Sequence, residues 1–202
     1  MYRTCVFWLF PIFIVVLLAA GCSRTEVRSS EIIIQDFGIP SGQRPRMAIL
    51  PLATTDHDET NAVRLAQAFS RVWARETDGS NFPVIPRTGL PGNPIRVSAD
   101  QYAKTGWLSP DTVSRYTEQA FDFVLVLWIK EYGLTWQGKD QNKNVALGYS
   151  IILLDSEEVV MEGHGEAAAA GRRTPFSQVE EAVLTELVFN VARNFGFAED
   201  TE

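Results

Sequence analysis

Apolar and polar positions divide this chain into segments whose periods can be read directly. Met47-Ala-Ile-Leu-Pro-Leu52 is a continuous apolar run of strand length, which predicts a strand covered on both faces, with the non-donating Pro51 near its end. Ala62, Leu65, Ala66, Phe69, Val72 and Trp73 then recur at helical spacing, while Arg64, Gln67, Ser70, Arg71 and Arg75 point away, predicting a helix over 61–76. Phe82-Pro-Val-Ile-Pro86 predicts a short edge strand, so the fold opens as β-α-β. Ser109-Pro110-Asp111 supplies a cap, a first-turn proline and an acid, predicting a helix to about Ala120. Phe121 to Ile129 is apolar on both alternating faces after Asp122 and predicts a central strand.

The second half predicts an antiparallel meander. Gly138 to Lys143 reads as a turn, Val145 to Leu154 as the returning strand, Asp155-Ser-Glu-Glu158 as a second turn, and Val159 to Glu166 as a third strand. Thr174-Pro175 opens a long helix whose stripe is Phe176, Val179, Val183, Leu184, Leu187, Val191 and Phe195, with Gly196 at the stop. Ahead of all this, Glu31 to Phe37 is strand-like, and Gly38 to Pro45 is turn material. Arg87 to Gly106, rich in Pro, Gly and polar residues, is the least constrained stretch. The elements add up to one α/β (α+β) domain over 31–198, a mixed sheet packed by three helices at 61–76, 109–120 and 174–195.

The start of the chain changes the picture from fold to address. Val6 to Ala20 is apolar apart from Pro11, with Arg3 the sole charge before it, the pattern of an export signal. Small residues follow, and Leu17-Leu18-Ala19-Ala20-Gly21-Cys22 resembles the lipobox of bacterial lipoproteins. The resemblance implies cleavage between Gly21 and Cys22, a thioether to diacylglycerol on Cys22 and acylation, typically palmitate, of the new amine. Residues 1–21 are then the signal peptide, and 22–30, polar except for Val27, a lipidated tether. A spanning helix needs about 20 apolar residues, more than this run supplies. Ser23 replaces the Asp that retains such proteins in the inner membrane, so the resemblance implies the outer membrane, with the domain in the periplasm.

Charge and cysteine content narrow the partners. The whole chain carries 18 basic and 25 acidic residues; 18 less Arg3 leaves 17 in the mature chain, a net charge of −8. That balance argues against a nucleic-acid or anionic-lipid surface as the main partner, because both call for clustered Lys and Arg. Of the two cysteines, Cys5 leaves with the signal and Cys22 carries lipid, so the folded part has no thiol chemistry.

Three pieces resemble a group of envelope proteins: Met47 to Leu52 before a helix, Phe121-Asp-Phe-Val-Leu-Val-Leu127 after a helix, and Tyr149-Ser-Ile-Ile-Leu-Leu-Asp155 turning into Val159-Val160. The group comprises the penicillin-binding-protein activator lipoproteins, the curli secretion lipoprotein and the N-terminal domain of the Tol-system propeller protein. Its usual Thr-Gly in the last turn is here Ser156-Glu157. The resemblance implies a non-catalytic accessory or assembly domain that binds another envelope protein.

Motif chemistry is sparse. The chain has no Gly-x-Ser-x-Gly elbow, phosphate loop, Gly-x-Gly-x-x-Gly run or His-Glu-x-x-His pair, and no cofactor is implied. Asp56-His57-Asp58-Glu59 offers metal ligands or merely helix-capping acids; Glu162, His164 and Glu166 share one face of a strand, as a ligand or acid-base set or as the solvated face of an edge strand. These are the candidates for a metal-dependent envelope hydrolase. Among the tryptophans, Trp73 and Trp128 fall on core faces, whereas Trp107 and Trp136 lie in a loop and at a strand end and are the candidate partner surface. A third reading, a secretion or transport accessory that binds a lipid or small hydrophobic ligand, predicts an apolar cavity between sheet and helices.

Overall fold

A computed structural model describes residues 25–33, 45–52, 59–79, 82–85, 120–137, 140–171 and 174–197. Seven elements follow in order: β1 (Thr25–Ile33), β2 (Met47–Leu52), α1 (Glu59–Glu76), β3 (Phe123–Gln137), β4 (Asp140–Leu153), β5 (Glu158–Ala170) and α2 (Phe176–Asn194). The strands form a single mixed sheet in the order β1-β5-β4-β3-β2. β2 runs parallel to β3, and β3, β4, β5 and β1 are successively antiparallel. The α/β single-domain reading therefore holds, with the β-α-β unit and the meander sharing β3.

The apolar stripes of both helices face the sheet. Leu65, Phe69 and Trp73 of α1 and Val183, Leu187 and Val191 of α2 are buried with Met47, Ile49, Leu125, Leu147, Tyr149 and Ile151 in one core. The parallel pair is apolar on its other side too: Ala48, Leu50, Leu52, Val124, Val126, Ile152 and Leu154 form a second buried cluster, as strands apolar on both faces require. Trp128 packs at the margin of that second cluster. Val84 makes an isolated parallel bridge to Ile49, supported by Ile49 N–H donating to Pro83 O at 2.9 Å and Ile85 N–H donating to Ile49 O at 3.0 Å. The short edge strand after the first helix is thus one bridge long.

α2 ends as its glycine predicts. Gly196 has φ 73°, the region open to a residue without Cβ, and Phe197 N–H reaches back to Ala192 O at 2.8 Å.

Three boundaries differ from the sequence reading. β1 begins at Thr25 rather than Glu31, so residues 25–30, assigned above to the tether, are paired with β5 from Thr25↔Ala169 to Ser30↔His164. Their polarity has a structural reason: Ser29 and Glu31 face α2, where Ser29 Oγ donates to Glu186 Oε1 at 2.6 Å and Glu31 accepts from Arg193 and Asn194. The supposed turn from Gly138 to Lys143 is mostly strand, because Asp140 to Lys143 pair with Gln137 to Leu134. β5 likewise runs on through Ala167 to Ala170, small residues facing β1 and β4. Residues 34–37 and 109–119, and with the latter nearly all of the expected third helix, lie outside the described residues.

Candidate functional site

The sequence candidates fall in different places. Gly21, Cys22, Trp107 and the Asp56-His57-Asp58 cluster lie outside the described residues. Trp136 is described, near the end of the β3–β4 hairpin, 61% exposed, with Leu134 two residues earlier on the same face 49% exposed. Both lie on the same face as Tyr132, which meets the helices through Arg64 and Glu180. Register places this end: Leu134 pairs with Lys143, Lys143 with Ala169, and Ala169 with Thr25. The exposed hairpin end is therefore level with the first residue of β1, across three strand spacings of about 4.8 Å each.

Beneath the hairpin end, three elements are clamped by one polar group. Glu180 of α2 receives Arg64 of α1 through Nη1 at 2.8 Å and Nη2 at 2.5 Å, and also accepts from Tyr132 Oη of β3. Arg64 Nη2 donates in turn to Tyr132 Oη at 2.7 Å. Burial pulls the Glu180 carboxyl upward, but the Arg64 and Tyr132 donors outweigh it and leave the group below the usual range. Burial and the neighbouring carboxylate push the Tyr132 phenol up to about 12. The clamp fixes the root of the hairpin, so the exposed side chains stand on a rigid base.

Glu162, His164 and Glu166 do share the outer face of β5, beside Ile32, Ser30 and Arg28 respectively. Each has its own neighbour: Ser150 Oγ donates to Glu162 at 3.2 Å, Ser30 Oγ lies 2.9 Å from His164 Nδ1, and Arg28 sits 4.0 Å from Glu166. Among the described residues no group of three or more His, Cys, Asp or Glu is placed to hold a metal. The face instead forms part of a 330 Å³ groove with Trp128 and Lys130.

One feature was not read from the sequence. An apolar cleft of 290 Å³ opens at the starts of β2 and β3, lined chiefly by Met47, Trp73, Phe82, Pro83, Phe121 and Phe197. Its wall is aromatic because the last turn of α1 carries Trp73, against which Phe82 packs at 4.7 Å and Phe197, delivered by the turn at Gly196, packs edge-on at 5.8 Å. Arg46, also part of the lining, is paired with Asp122 through Nε–Oδ2 at 2.9 Å and Nη2–Oδ1 at 2.5 Å. The cleft lies at the end of the core, where sequence periodicity carries no signal.

No family model matches the chain, and no curated protein does. Among solved structures, a point variant of PelC from Paraburkholderia phytofirmans, a dodecamer, is similar at TM-score 0.51 and 14% identity over 82% of this chain and 96% of that one. The protein XCC0632 from Xanthomonas campestris (TM-score 0.48, 13% identity, 78% of this chain and 91% of that one) is also similar. So is the lipoprotein GNA1162 from Neisseria meningitidis (TM-score 0.42, 15% identity, 76% and 100%). At such identities the likeness is one of fold, and this chain shares its fold with PelC.

Proposed function

We propose that the chain is an outer-membrane lipoprotein whose periplasmic domain is a non-catalytic accessory or assembly factor docking other envelope proteins. The observation that carries this reading is the Ala19-Ala-Gly-Cys22 sequence after its apolar run, three positions ahead of β1. Three extended residues span at most about 11 Å, so the domain is held against the membrane rather than swinging on the longer tether that the sequence suggested. Acyl chains at about 0.8 kcal/mol per buried CH₂ make such anchoring persistent. The fold is that of PelC, itself described as a dodecamer, which supports docking between folded domains as the mode of action. The finer kinship, to the penicillin-binding-protein activators, the curli secretion lipoprotein and the Tol propeller's first domain, belongs to this proposal and rests on the three strand motifs.

The docking surface includes Trp136 and Leu134, rigidly based and level with the start of β1. A photoreactive residue in place of Trp136 tests this in intact cells. Discrete protein adducts that vanish on moving the probe to the exposed Glu131 are expected; equal labelling at both positions contradicts the reading.

A second reading is favoured by the apolar cleft. Its lining suits a lipid tail or another small hydrophobic ligand, as a secretion or transport accessory would bind.

A further inference from the structure

The cleft at the starts of β2 and β3 carries one polar group that its packing leaves unused. Trp73 stands in the last turn of α1, where its carbonyl accepts from Thr77 N–H at 3.0 Å and from Thr77 Oγ1 at 2.7 Å. Those two bonds close the helix. Asp78, at φ 49°, then turns the chain, and Gly79 comes back against the indole, so that a Cβ there would sit 3.2 Å from Trp73 Nε1. Without that Cβ the nitrogen edge of the indole stays bare. Trp73 is 3% exposed, and among the described residues its Nε1–H has no acceptor. Nor is the nitrogen sealed: among the described residues, sealed side-chain polar atoms without a partner are Thr25 Oγ1 and Tyr149 Oη. Solvent therefore reaches the indole N–H beside Gly79, which lines the cleft. A buried indole ordinarily finds an acceptor, since it is a donor only.

The rest of the cleft limits what that acceptor belongs to. Met47, Phe82, Phe121 and Phe197 offer apolar walls. Arg46, the one charged residue among the described lining, is already held by Asp122, so choice of head group falls to the indole, which favours an oxygen acceptor over an ammonium donor. At 290 Å³ the space is at the small end of ligand pockets, about 300–1,000 Å³, and suits one chain rather than a two-chain phospholipid. Position points the same way. Leu134, level with Thr25, lies eleven residues along β3 from Phe123, roughly 36 Å of strand. With the anchor just ahead of Thr25, the cleft is at the end of the domain away from the bilayer, and its ligand arrives through water.

We propose that the cleft binds a single acyl chain, with the tail among Met47, Phe82, Phe121 and Phe197 and an oxygen of the carboxyl end accepting from Trp73 Nε1–H. A free fatty acid and a monoacyl ester share this chemistry. The proposal rests on the ligand reading of the cleft given above and adds the head-group contact that selects the ligand.

Photoaffinity labelling of the full-length, membrane-borne protein tests this, with a diazirine-bearing decanoic acid, its monoglyceride and the matching decylamine as probes. The amine has the same tail but only donors at its head. The acid or its monoglyceride labels peptides containing Met47, Phe82 or Phe197, and the amine labels them about tenfold less, although an acidic chain attracts the amine. Labelling by the acid alone assigns the free fatty acid; labelling by both assigns the acyl group of either. Trp73→Phe keeps an aromatic ring without the N–H and brings acyl labelling down to the level of the amine. Gly79→Ala, which sets a methyl against Nε1 and leaves the indole in place, does the same, so the test stands even where one variant folds poorly. Equal labelling of the cleft by acyl and amine probes in the parent, or a preference that survives both substitutions, overturns the proposal and leaves the ligand reading standing. Cleft peptides labelled by none of the three probes overturn both.

Discussion

Tyr149 of β4 lies across Gly163 of β5, its direct cross-strand partner, so closely that a Cβ on Gly163 would sit 2.5 Å from the ring. The ring is fully buried, and its hydroxyl has no hydrogen-bond partner among the described residues; burial pushes the phenol's pKa up. Gly163→Ala therefore overpacks the sheet and is expected to cost about 1–3 kcal/mol. Tyr149→Phe removes an orphaned polar group whose burial costs about 1–3 kcal/mol, so it leaves stability unchanged or raises it. Urea midpoints of the two variants check both directions; a destabilised Tyr149→Phe contradicts the account.

The Arg64–Glu180–Tyr132 clamp sets an acid limit. Glu180 titrates below the usual carboxylate range when folded, through Arg64 and Tyr132 against the opposing pull of burial, so its contribution is present above the unfolded-state pKa and is lost as pH falls through the folded one. Arg64 is 42% exposed at its side chain, and solvent screens the pair. Glu180→Gln is expected to lose about 1–2 kcal/mol near neutrality and to show a flatter fall in melting temperature below pH 4 than the parent. Parallel acid profiles contradict it.

Tyr132 sets the alkaline counterpart. Its phenol, raised to about 12, contributes stability below the unfolded value near 10 and loses it as pH rises from about 10 to 12. Tyr132→Phe should flatten the stability profile in that window, and a profile identical to the parent's contradicts the clamp geometry.

Glu157 occupies the turn between β4 and β5 with φ 58°, a left-handed conformation costing a non-glycine residue roughly 1–2 kcal/mol. Glycine relieves that strain while losing about 0.4–1 kcal/mol through the freer unfolded chain. Glu157→Gly should therefore stabilise by about 0.5–1 kcal/mol, readable as a higher urea midpoint at unchanged slope.

The cleft makes a separable prediction. An apolar fluorescent dye such as anilinonaphthalene sulfonate should bind the folded protein, and Pro83→Glu, exposed at the cleft and leaving the Pro83 carbonyl in place, should weaken it on the order of tenfold, about 1.4 kcal/mol. Unchanged dye binding in that variant contradicts the ligand reading.

Much of this architecture was legible because burial writes itself as period. Met47 to Leu52 and Phe123 to Ile129 are apolar on both faces and proved to be the parallel pair β2–β3, and the stripes of both helices face the core as spaced. The first part of β1, 25–30, was hidden because neither of its faces is apolar: Ser29, like Glu31 after it, meets polar groups of α2, and Glu26, Arg28 and Ser30 face solvent. Asp140 to Lys143 looked like a turn for the same reason, polar residues whose strand is set by the ladder to β3. Trp136 was legible as an exposed aromatic; the cleft was not, since Trp73, Phe82 and Phe197 converge only in space.

The central claim is that this domain works from a membrane surface through acyl chains on Cys22. Mass spectrometry of the amino-terminal peptide, from protein made in a lipoprotein-processing envelope, tests it most directly. The expected result is a mature chain starting at Cys22 and carrying diacylglycerol with an amide-linked acyl group, absent in Cys22→Ser. A terminus starting elsewhere, or an unmodified Cys22, would contradict it.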